Sequence, residues 1–324
     1  MGDDASLMPA DDSGYRDKLL KYTVRMRMVA ARSAMSKPSA NGVPRLAVEV
    51  RGPRQAPPLL FAHGLGQTRH AWTRTAEVLA GAGFRTVTFD LRGHGESARA
   101  PAGGYELQQF LDDLLGLARS LDQPPVLVGA SMGGLLGLAL AGEVSPPPLR
   151  ALVLVDITPR WESAGVARML GFMRAHPNGF ADHDEAVAAI AAYLPHRSRA
   201  RRQQELEPLL RLGEDGRLRW HWDPALLDTI AHEGERHQPR LLAAARKVEV
   251  PVLLLSGGRS DVVSRETIGE FVRLLPHVRH VEIPEATHML AGDANDAFTD
   301  AVREFVCSLP ERGGSMRSVP CTYS

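Results

Sequence analysis

Short apolar runs that alternate with segments of helical periodicity most constrain what this chain can fold into. The runs end at turn residues and are too short for helices, which is typical of strands buried on both faces of a parallel sheet. They cover residues 57–62, 86–89, 126–128, 151–155, 252–255 and 278–283, whereas residues 46–50 alternate like an edge strand. Helical periodicity separates them over residues 71–79, 107–121, 134–142, 267–275 and 297–309. Repeated strand–helix units predict an α/β protein with a mostly parallel sheet flanked by helices.

The alternation is interrupted between Asp156 and Pro251, where helical patterns predominate. The predicted helices cover residues 162–175, 184–193, 199–212 and 224–233, and a turn is predicted at residues 213–216. Because such an insertion lies at one edge of the predicted sheet, we expect residues 157–245 to form a helical cap over that edge. The core then comprises residues 41–156 and 246–310. We expect residues 1–40 to be a disordered extension and residues 311–324 a flexible tail.

The balance of charge argues against binding to nucleic acid or to an anionic membrane. The 324 residues include 38 basic and 38 acidic side chains, so no net field favours either. No window approaches the about 20 apolar residues that span a bilayer, and the N-terminus lacks the pattern of a secretory signal. The two cysteines, Cys307 and Cys321, are too few for a disulfide framework, and we expect reduced thiols. These features predict a cytoplasmic protein without membrane insertion, and they do not determine its oligomeric state.

The strongest local motif is Gly129-Ala-Ser131-Met132-Gly133-Gly134, which matches G-x-S-x-G. It follows the apolar run at residues 126–128 directly and precedes an apolar helical pattern. Serine in this position lies on a very tight strand-to-helix turn, and the glycines two residues away on either side relieve backbone crowding. We therefore predict that Ser131 is a nucleophile.

A second motif, His63-Gly64-Leu65-Gly66, ends the apolar run at residues 57–62. Glycines at a strand end let the backbone approach a ligand closely. We predict an oxyanion hole formed by the backbone N–H groups of Leu65 and Met132. For His63 we expect a role in ordering the loop rather than in proton transfer.

His288 is the predicted general base because it follows the last apolar run, at residues 278–283, and can reach the serine from the carboxyl edge of the sheet. Two carboxylates compete for the role of its partner. Asp261 follows the run at 252–255 through a short loop, whereas Asp156 ends the preceding run. Both complete the chain order serine, acid, histidine; we assign Asp261 as the catalytic acid and keep Asp156 as the alternative.

Together these motifs resemble the α/β-hydrolase superfamily over about residues 42–309. The matching positions are the His63-Gly64 loop, the DLRGHGES segment at residues 90–97, the elbow at residues 129–134, Asp261 and His288. The resemblance implies the α/β-hydrolase fold, with an eight-stranded sheet whose first two strands form an antiparallel margin. Within the superfamily the chain is similar to capped bacterial esterases, enol-lactonases and cofactor-free haloperoxidases. Haloalkane dehalogenases and epoxide hydrolases of this fold carry aspartate where this chain has Ser131, so their alkyl-enzyme chemistry is not expected.

The leading function is hydrolysis of a small or medium apolar carboxylic ester or lactone through an acyl-serine, with no cofactor or metal. Three alternatives stay open: perhydrolysis of the kind that cofactor-free haloperoxidases carry out, hydrolysis of a carbon–carbon bond, and a catalytically silent receptor of this fold. The partner is in each case a small molecule. We expect that Trp161, Phe172, Trp220 and Trp222 of the cap line its pocket, although an apolar underside is needed for packing in any case.

Overall fold

The computed structural model describes residues 45–100, 104–194, 206–290 and 295–310. The strands are β1 (Val48–Arg51), β2 (Pro58–Ala62), β3 (Arg85–Phe89), β4 (Val126–Ala130), β5 (Ala151–Val155), β6 (Leu210–Leu212), β7 (Leu218–Trp220), β8 (Val252–Gly257) and β9 (Val278–Ile283). The α-helices are α1 (Thr73–Gly81), α2 (Leu107–Arg119), α3 (Met132–Glu143), α4 (Ser163–Arg174), α5 (His183–Tyr193), α6 (Pro224–Glu233), α7 (Gln238–Ala245), α8 (Arg265–Leu274) and α9 (Asn295–Ser308). The expected N-terminal extension and C-terminal tail lie outside the described residues.

Seven of these strands form one sheet in the order β1-β3-β2-β4-β5-β8-β9. All its neighbouring pairs are parallel except β1 with β3, so the predicted α/β-hydrolase fold is confirmed. The sheet differs from the expectation in its strand count. Within the described residues it has seven strands rather than eight, and its antiparallel margin is β1 alone.

The sheet is covered on both faces, which explains why its strand sequences are continuously apolar. On β2, Leu59 and Phe61 point to one face, where they pack with residues of α1 and α9. Leu60 and Ala62 point to the other face, which α2, α3, α7 and α8 cover. Each of these four side chains of β2 is no more than 1% exposed.

The segment between β5 and β8, called the insertion below (residues 157–245), is mostly helical as predicted. Its helices α4, α5 and α6 lie within one residue of the predicted bounds. The helix predicted over residues 199–212 is wrong at its end, where β6 pairs with β7 in an antiparallel hairpin. The turn predicted at residues 213–216 connects these two strands, and Gly216 has the positive φ of +75° that such a turn requires.

Two findings bear on the expectations about the chain's environment. No helix in the described ranges is long and apolar enough to cross a membrane. Cys307, however, is disulfide-bonded, so the expectation of a reduced thiol is wrong for this residue. Cys321 lies outside the described residues. The bond removes the argument from reduced thiols for a cytoplasmic location, which stays a prediction.

Candidate active site

Ser131 occupies a strained turn between β4 and α3. Its backbone has φ +47° and ψ −117°, outside the regions that residues with a side chain ordinarily adopt. The turn is tight enough to exclude larger residues nearby. A Cβ atom on Gly129 would lie 2.5 Å from the carbonyl oxygen of Gly133, and one on Gly133 would lie 2.3 Å from that of Ala62. The motif therefore folds locally as predicted, with Ser131 at the N-terminus of α3 and partly exposed.

The loop after β2 lies directly against this turn. A Cβ atom on Gly64 would be 3.3 Å from the Cβ of Ser131, so no side chain separates the loop from the serine. His63, which is fully buried, orders the loop as expected: its Nδ1–H donates to the Gly64 carbonyl at 2.8 Å, and its Nε2 accepts the Leu91 N–H at 2.9 Å. Burial lowers the pKa of His63 to about 3, so the ring is neutral.

The acid that contacts His288 is Asp156, which corrects our assignment of Asp261. The Nδ1–H of His288 donates to Asp156 Oδ2 over 2.7 Å. The carboxylate is fully buried and accepts two further hydrogen bonds, from the Gly257 N–H at 2.8 Å and from the Ser260 hydroxyl at 2.5 Å. Three donors thus fix the orientation of the Asp156 carboxylate, which in turn fixes the imidazole.

Asp261 lies on the loop that we predicted but faces the insertion instead of His288. Its Oδ2 accepts hydrogen bonds from Nε of Arg168 at 2.9 Å and from a terminal nitrogen of the same guanidinium at 2.5 Å. Its backbone packs against α4 so closely that a Cβ on Gly165 would lie 2.0 Å from the Asp261 carbonyl oxygen. The physical reason is the turn after β8, which directs Ser260 towards Asp156 and the next side chain towards α4.

Sheet order could have favoured Asp156 over Asp261. Strand β5 lies between β4 and β8, so its end is next to the serine turn, and the Ser131 N–H donates to the Val155 carbonyl at 3.0 Å. Asp156 also has a positive φ of +50°, one of two such non-glycine residues in the described chain; Ser131 is the other. Neither the strand order nor the backbone strain can be read from the local sequence.

The DLRGHGES segment forms a buried loop that supports the loop after β2. Asp90 is fully buried and accepts the backbone N–H groups of Arg69 at 2.7 Å and Glu96 at 2.9 Å. The Arg92 guanidinium makes a buried two-point contact with Asp113 on α2, at 2.7 and 2.8 Å. These charged residues are therefore satisfied by partners within the core and hold the loop in place.

The aromatic residues of the insertion cluster next to this site. Trp220 stacks on Trp222 with ring centroids 4.8 Å apart, and Phe172 packs edge-on against Trp220 at 5.8 Å. Trp222 also reaches the loop after β2, where one of its ring carbons would lie 3.3 Å from a Cβ on Gly66. Trp161 is partly buried against the core, but among the described residues it makes no ring contact with this cluster. The structure thus brings together three of the four predicted pocket residues.

A profile described as "alpha/beta hydrolase fold" matches residues 57–294, which is most of the chain and includes Ser131, Asp156, Asp261 and His288. The chain belongs to the α/β-hydrolase family. A 3-hydroxybutyrate-oligomer hydrolase of Cupriavidus necator is 32% identical over 269 residues, which cover 77% of this chain and 89% of that protein. The sn-1-specific diacylglycerol lipase ABHD11 of Mus musculus is 31% identical, over 79% of this chain and 82% of that protein.

Among solved structures, a crystal structure of E-2-(acetamidomethylene)succinate hydrolase is similar to this α/β-hydrolase. It superposes with a TM-score of 0.72 at 28% identity, covering 82% of this chain and 96% of that one. The names of these relatives describe hydrolases with different substrates, so the comparisons indicate a hydrolase and do not identify its substrate.

Proposed function

We propose that this α/β-hydrolase cleaves an uncharged carboxylic ester or lactone through an acyl-serine on Ser131. The observation that carries the proposal is the sheet edge itself: a strained serine turn at the end of β4 lies beside the Asp156–His288 pair. Ser131 and Asp156, the partner of His288, both have a strained backbone. Such strain is typical of active sites, where the surrounding structure maintains it. The names of the hydroxybutyrate-oligomer hydrolase and the diacylglycerol lipase support an ester substrate.

In the first half-reaction the Ser131 oxygen attacks the substrate carbonyl, and His288 takes the hydroxyl proton. The carbonyl electron pair moves to oxygen, which the N–H groups of Leu65 and Met132 stabilise at the N-terminal end of α3. Collapse of this intermediate expels the alcohol, which receives the proton from His288. In the second half, His288 activates a water molecule that releases the acid and restores Ser131.

Asp156 acts through His288 rather than on the substrate. Its Oδ2 accepts the Nδ1–H of His288, so this nitrogen carries the proton and the opposite nitrogen is free to act as the base. The negative charge also stabilises the imidazolium that forms when His288 takes the serine proton. The buried hydrogen bonds from Gly257 and Ser260 keep the carboxylate from rotating away.

The proposed substrate class rests on the insertion, which we propose acts as a cap. Trp222 and Met173 both approach Gly66, so apolar side chains of the insertion lie against the loop that carries the proposed oxyanion donor. Phe172, Trp220 and Trp222 offer an apolar surface with little capacity to pair a charged group. Such a surface favours an uncharged acyl chain and limits the access of water until the alcohol departs.

Labelling with a fluorophosphonate, followed by peptide mass spectrometry, tests the proposal. We expect a single adduct on Ser131 and hydrolysis of p-nitrophenyl butyrate by the same preparation. Ser131→Ala should abolish both without lowering the Tm. Ser120→Ala, which removes an exposed hydroxyl that bonds the Leu117 carbonyl at the end of α2, is the matched control and should retain both. An adduct on another residue, or an unlabelled wild-type protein, would overturn the proposal.

A further inference from the structure

Three buried histidines near the serine turn have no part in the proposed reaction. His63, His94 and His221 are each no more than 2% exposed, and their rings lie close together. The centroid of the His94 ring is 5.0 Å from that of His63 and 5.9 Å from that of His221. Such a cluster would be costly if it were charged, so its retention in the core calls for a physical reason.

Every ring nitrogen of the cluster is bonded to the backbone. His94 Nδ1 lies 3.0 Å from the Arg92 carbonyl, to which it donates, and its Nε2 accepts the Gly66 N–H at 3.2 Å. His221 Nδ1 accepts the Gly95 N–H at 2.7 Å, and its Nε2–H donates to the Gly66 carbonyl at 3.3 Å. Each ring faces one carbonyl oxygen and one N–H group, so it must be neutral. The nitrogen that faces the carbonyl carries the proton, and the nitrogen that faces the N–H accepts.

Two of these rings converge on Gly66, one on its N–H and one on its carbonyl. We call this arrangement the histidine clamp (His94 and His221 on Gly66). Gly66 has φ +72°, a backbone conformation that favours glycine, and a Cβ on it would lie 2.9 Å from the terminal methyl of Met173 in the insertion. The clamp therefore fixes the peptide groups on both sides of Gly66, immediately after Leu65.

His221 also connects the loop to the insertion. It follows β7, and its backbone N–H donates to the Leu209 carbonyl at 3.0 Å, within the insertion. Two residues later, the Asp223 N–H donates to the Gly93 carbonyl at 2.8 Å. A short segment of the insertion is thus attached to both loops that support the serine turn.

We infer that His94 and His221 are positioning residues that hold the Leu65 N–H in place for the oxyanion, so that the insertion helps to build the oxyanion hole. This inference rests on the proposed function. An N–H group stabilises the oxyanion only within a narrow range of distance and direction, and a displacement of about 1 Å can cost about 100-fold in rate. Binding of the uncharged substrate depends much less on that geometry.

Substitution of each clamp histidine by asparagine or by glutamine tests the clamp, because each of these amide side chains can replace only one of the two ring nitrogens. Asparagine places its amide near Nδ1 and glutamine places its amide near Nε2. His221→Gln can still donate to Gly66, whereas His221→Asn can pair only with Gly95; the same contrast holds for His94, with Arg92 in place of Gly95. We expect the two Asn variants to lower kcat on p-nitrophenyl butyrate by about 10- to 100-fold with KM within about threefold, and the Gln variants to retain most of kcat.

A trifluoromethyl ketone adds a readout that a general loss of packing would not produce. Ser131 adds to its carbonyl, and the resulting oxyanion occupies the same donors as the transition state. The inhibition constant should rise in the Asn variants by the factor by which kcat falls, and much less in the Gln variants. His277→Asn is the matched control and should change neither kcat nor the inhibition constant. His277 is exposed, contacts the Val250 carbonyl at 3.1 Å, and directly precedes β9, at the end of that strand opposite to the one that leads to His288.

Equal kcat for the Asn and Gln variants at both positions, or an unchanged inhibition constant, would overturn the clamp while leaving the proposed hydrolysis intact. If one variant fails to fold, the pair at the other histidine decides the outcome. Failure of the proposed function is recognised separately, because the wild-type protein would then neither turn over the ester nor label at Ser131. In that case the clamp has no oxyanion to position and is rejected with it.

Discussion

Asp156 combines a positive φ of +50° with a carboxylate that is fully buried and hydrogen-bonded on both oxygens. A buried carboxylate is costly unless donors compensate for its lost hydration, and here two protein donors besides His288 do so. Its competitor Asp261 is 38% exposed and paired with Arg168. Asp156 contacts His288 and orients it, whereas the exposed pair of Asp261 with Arg168 is weakened by solvent and does not involve His288.

Asp156→Asn should therefore lower kcat on p-nitrophenyl butyrate by about 10⁴-fold, the size of effect known for the corresponding change in a serine protease. The amide can no longer select the productive imidazole tautomer. Asp261→Asn is the matched control and should cost less than about threefold, because it loses only an exposed contact with Arg168. Steady-state kinetics of both variants would measure the ranking, and the reverse order would return the role to Asp261.

At the scale of elements, glycines determine how closely α3 approaches its neighbours. Gly142 lies near the end of α3, and a Cβ there would be 2.1 Å from the backbone carbonyl oxygen of Ala244 in α7. Gly116 lies in α2, where a Cβ would meet no atom within 4 Å. The same residue type is thus required by packing in one helix and is only a cost in backbone entropy in the other.

Alanine at these two positions should have opposite effects on stability. Gly116→Ala should raise the free energy of unfolding by up to about 1 kcal/mol, because alanine restricts the unfolded chain and favours the helix. Gly142→Ala should lower it by about 1–3 kcal/mol, because a backbone carbonyl cannot move aside as a flexible side chain can. Urea unfolding at an unchanged m-value measures both, and equal effects would contradict the close approach of α3 and α7.

The insertion should set the preferred length of the acyl chain. Each methylene that the proposed apolar pocket accepts should contribute about 0.8 kcal/mol, or about fourfold in affinity, until the pocket is full. We expect kcat/KM on p-nitrophenyl esters to rise from acetate to about butyrate or hexanoate and then to fall sharply, with charged acyl groups poor throughout.

Two variants of the insertion sharpen this prediction. Trp222→Ala should move the maximum to longer chains, because Trp222 lies beside Gly66 and its removal enlarges the proposed pocket. Leu212→Ala changes a residue of β6 that is 72% exposed and should leave the profile unchanged. A preference for charged or very long acyl groups would show that the insertion presents a different surface to the substrate.

For the molecule as a whole, the three buried histidines predict a loss of stability in acid. The pKa of each of the three is lowered to about 3, and burial is the largest cause in every case. In an unfolded chain the pKa of a histidine is about 6.5. Between these values the unfolded chain binds more protons than the native protein, so stability falls as the pH decreases through this range. For each such histidine, stability falls by up to about 1.4 kcal/mol per pH unit where the unfolded chain binds one proton more than the native protein.

Replacing one of the three isolates this contribution from that of the carboxylates, which also titrate in acid. His94→Gln retains the acceptor for the Gly66 N–H but cannot take up a proton. Between about pH 6 and 4, the free energy of unfolding of this variant should therefore change less steeply with pH than that of the wild-type protein, by the slope that corresponds to about one proton. Free energies of unfolding measured in urea across this range give the slope directly. Parallel slopes for the wild-type protein and the variant would show that His94 is not buried as a neutral ring.

The sequence by itself determined the features that depend on neighbouring residues. Strand and helix periodicity located every strand of the main sheet within about two residues, and the glycine spacing around Ser131 predicted the turn, because these patterns reflect burial and backbone sterics over a few residues. The position of His288 after the last strand followed in the same way, and its contact with a carboxylate of the predicted edge is present.

Only the tertiary structure decided the features that depend on which distant segments meet. Asp156 and Asp261 are equivalent in chain order, and the choice between them was made by the order of strands in the sheet and by the turn that points Ser260, rather than Asp261, inward. The hairpin of β6 and β7 and the contact of His221 with Gly66 likewise join residues far apart in sequence. Local sequence carries no signal for such contacts, because their energy comes from neighbours that only the complete fold supplies.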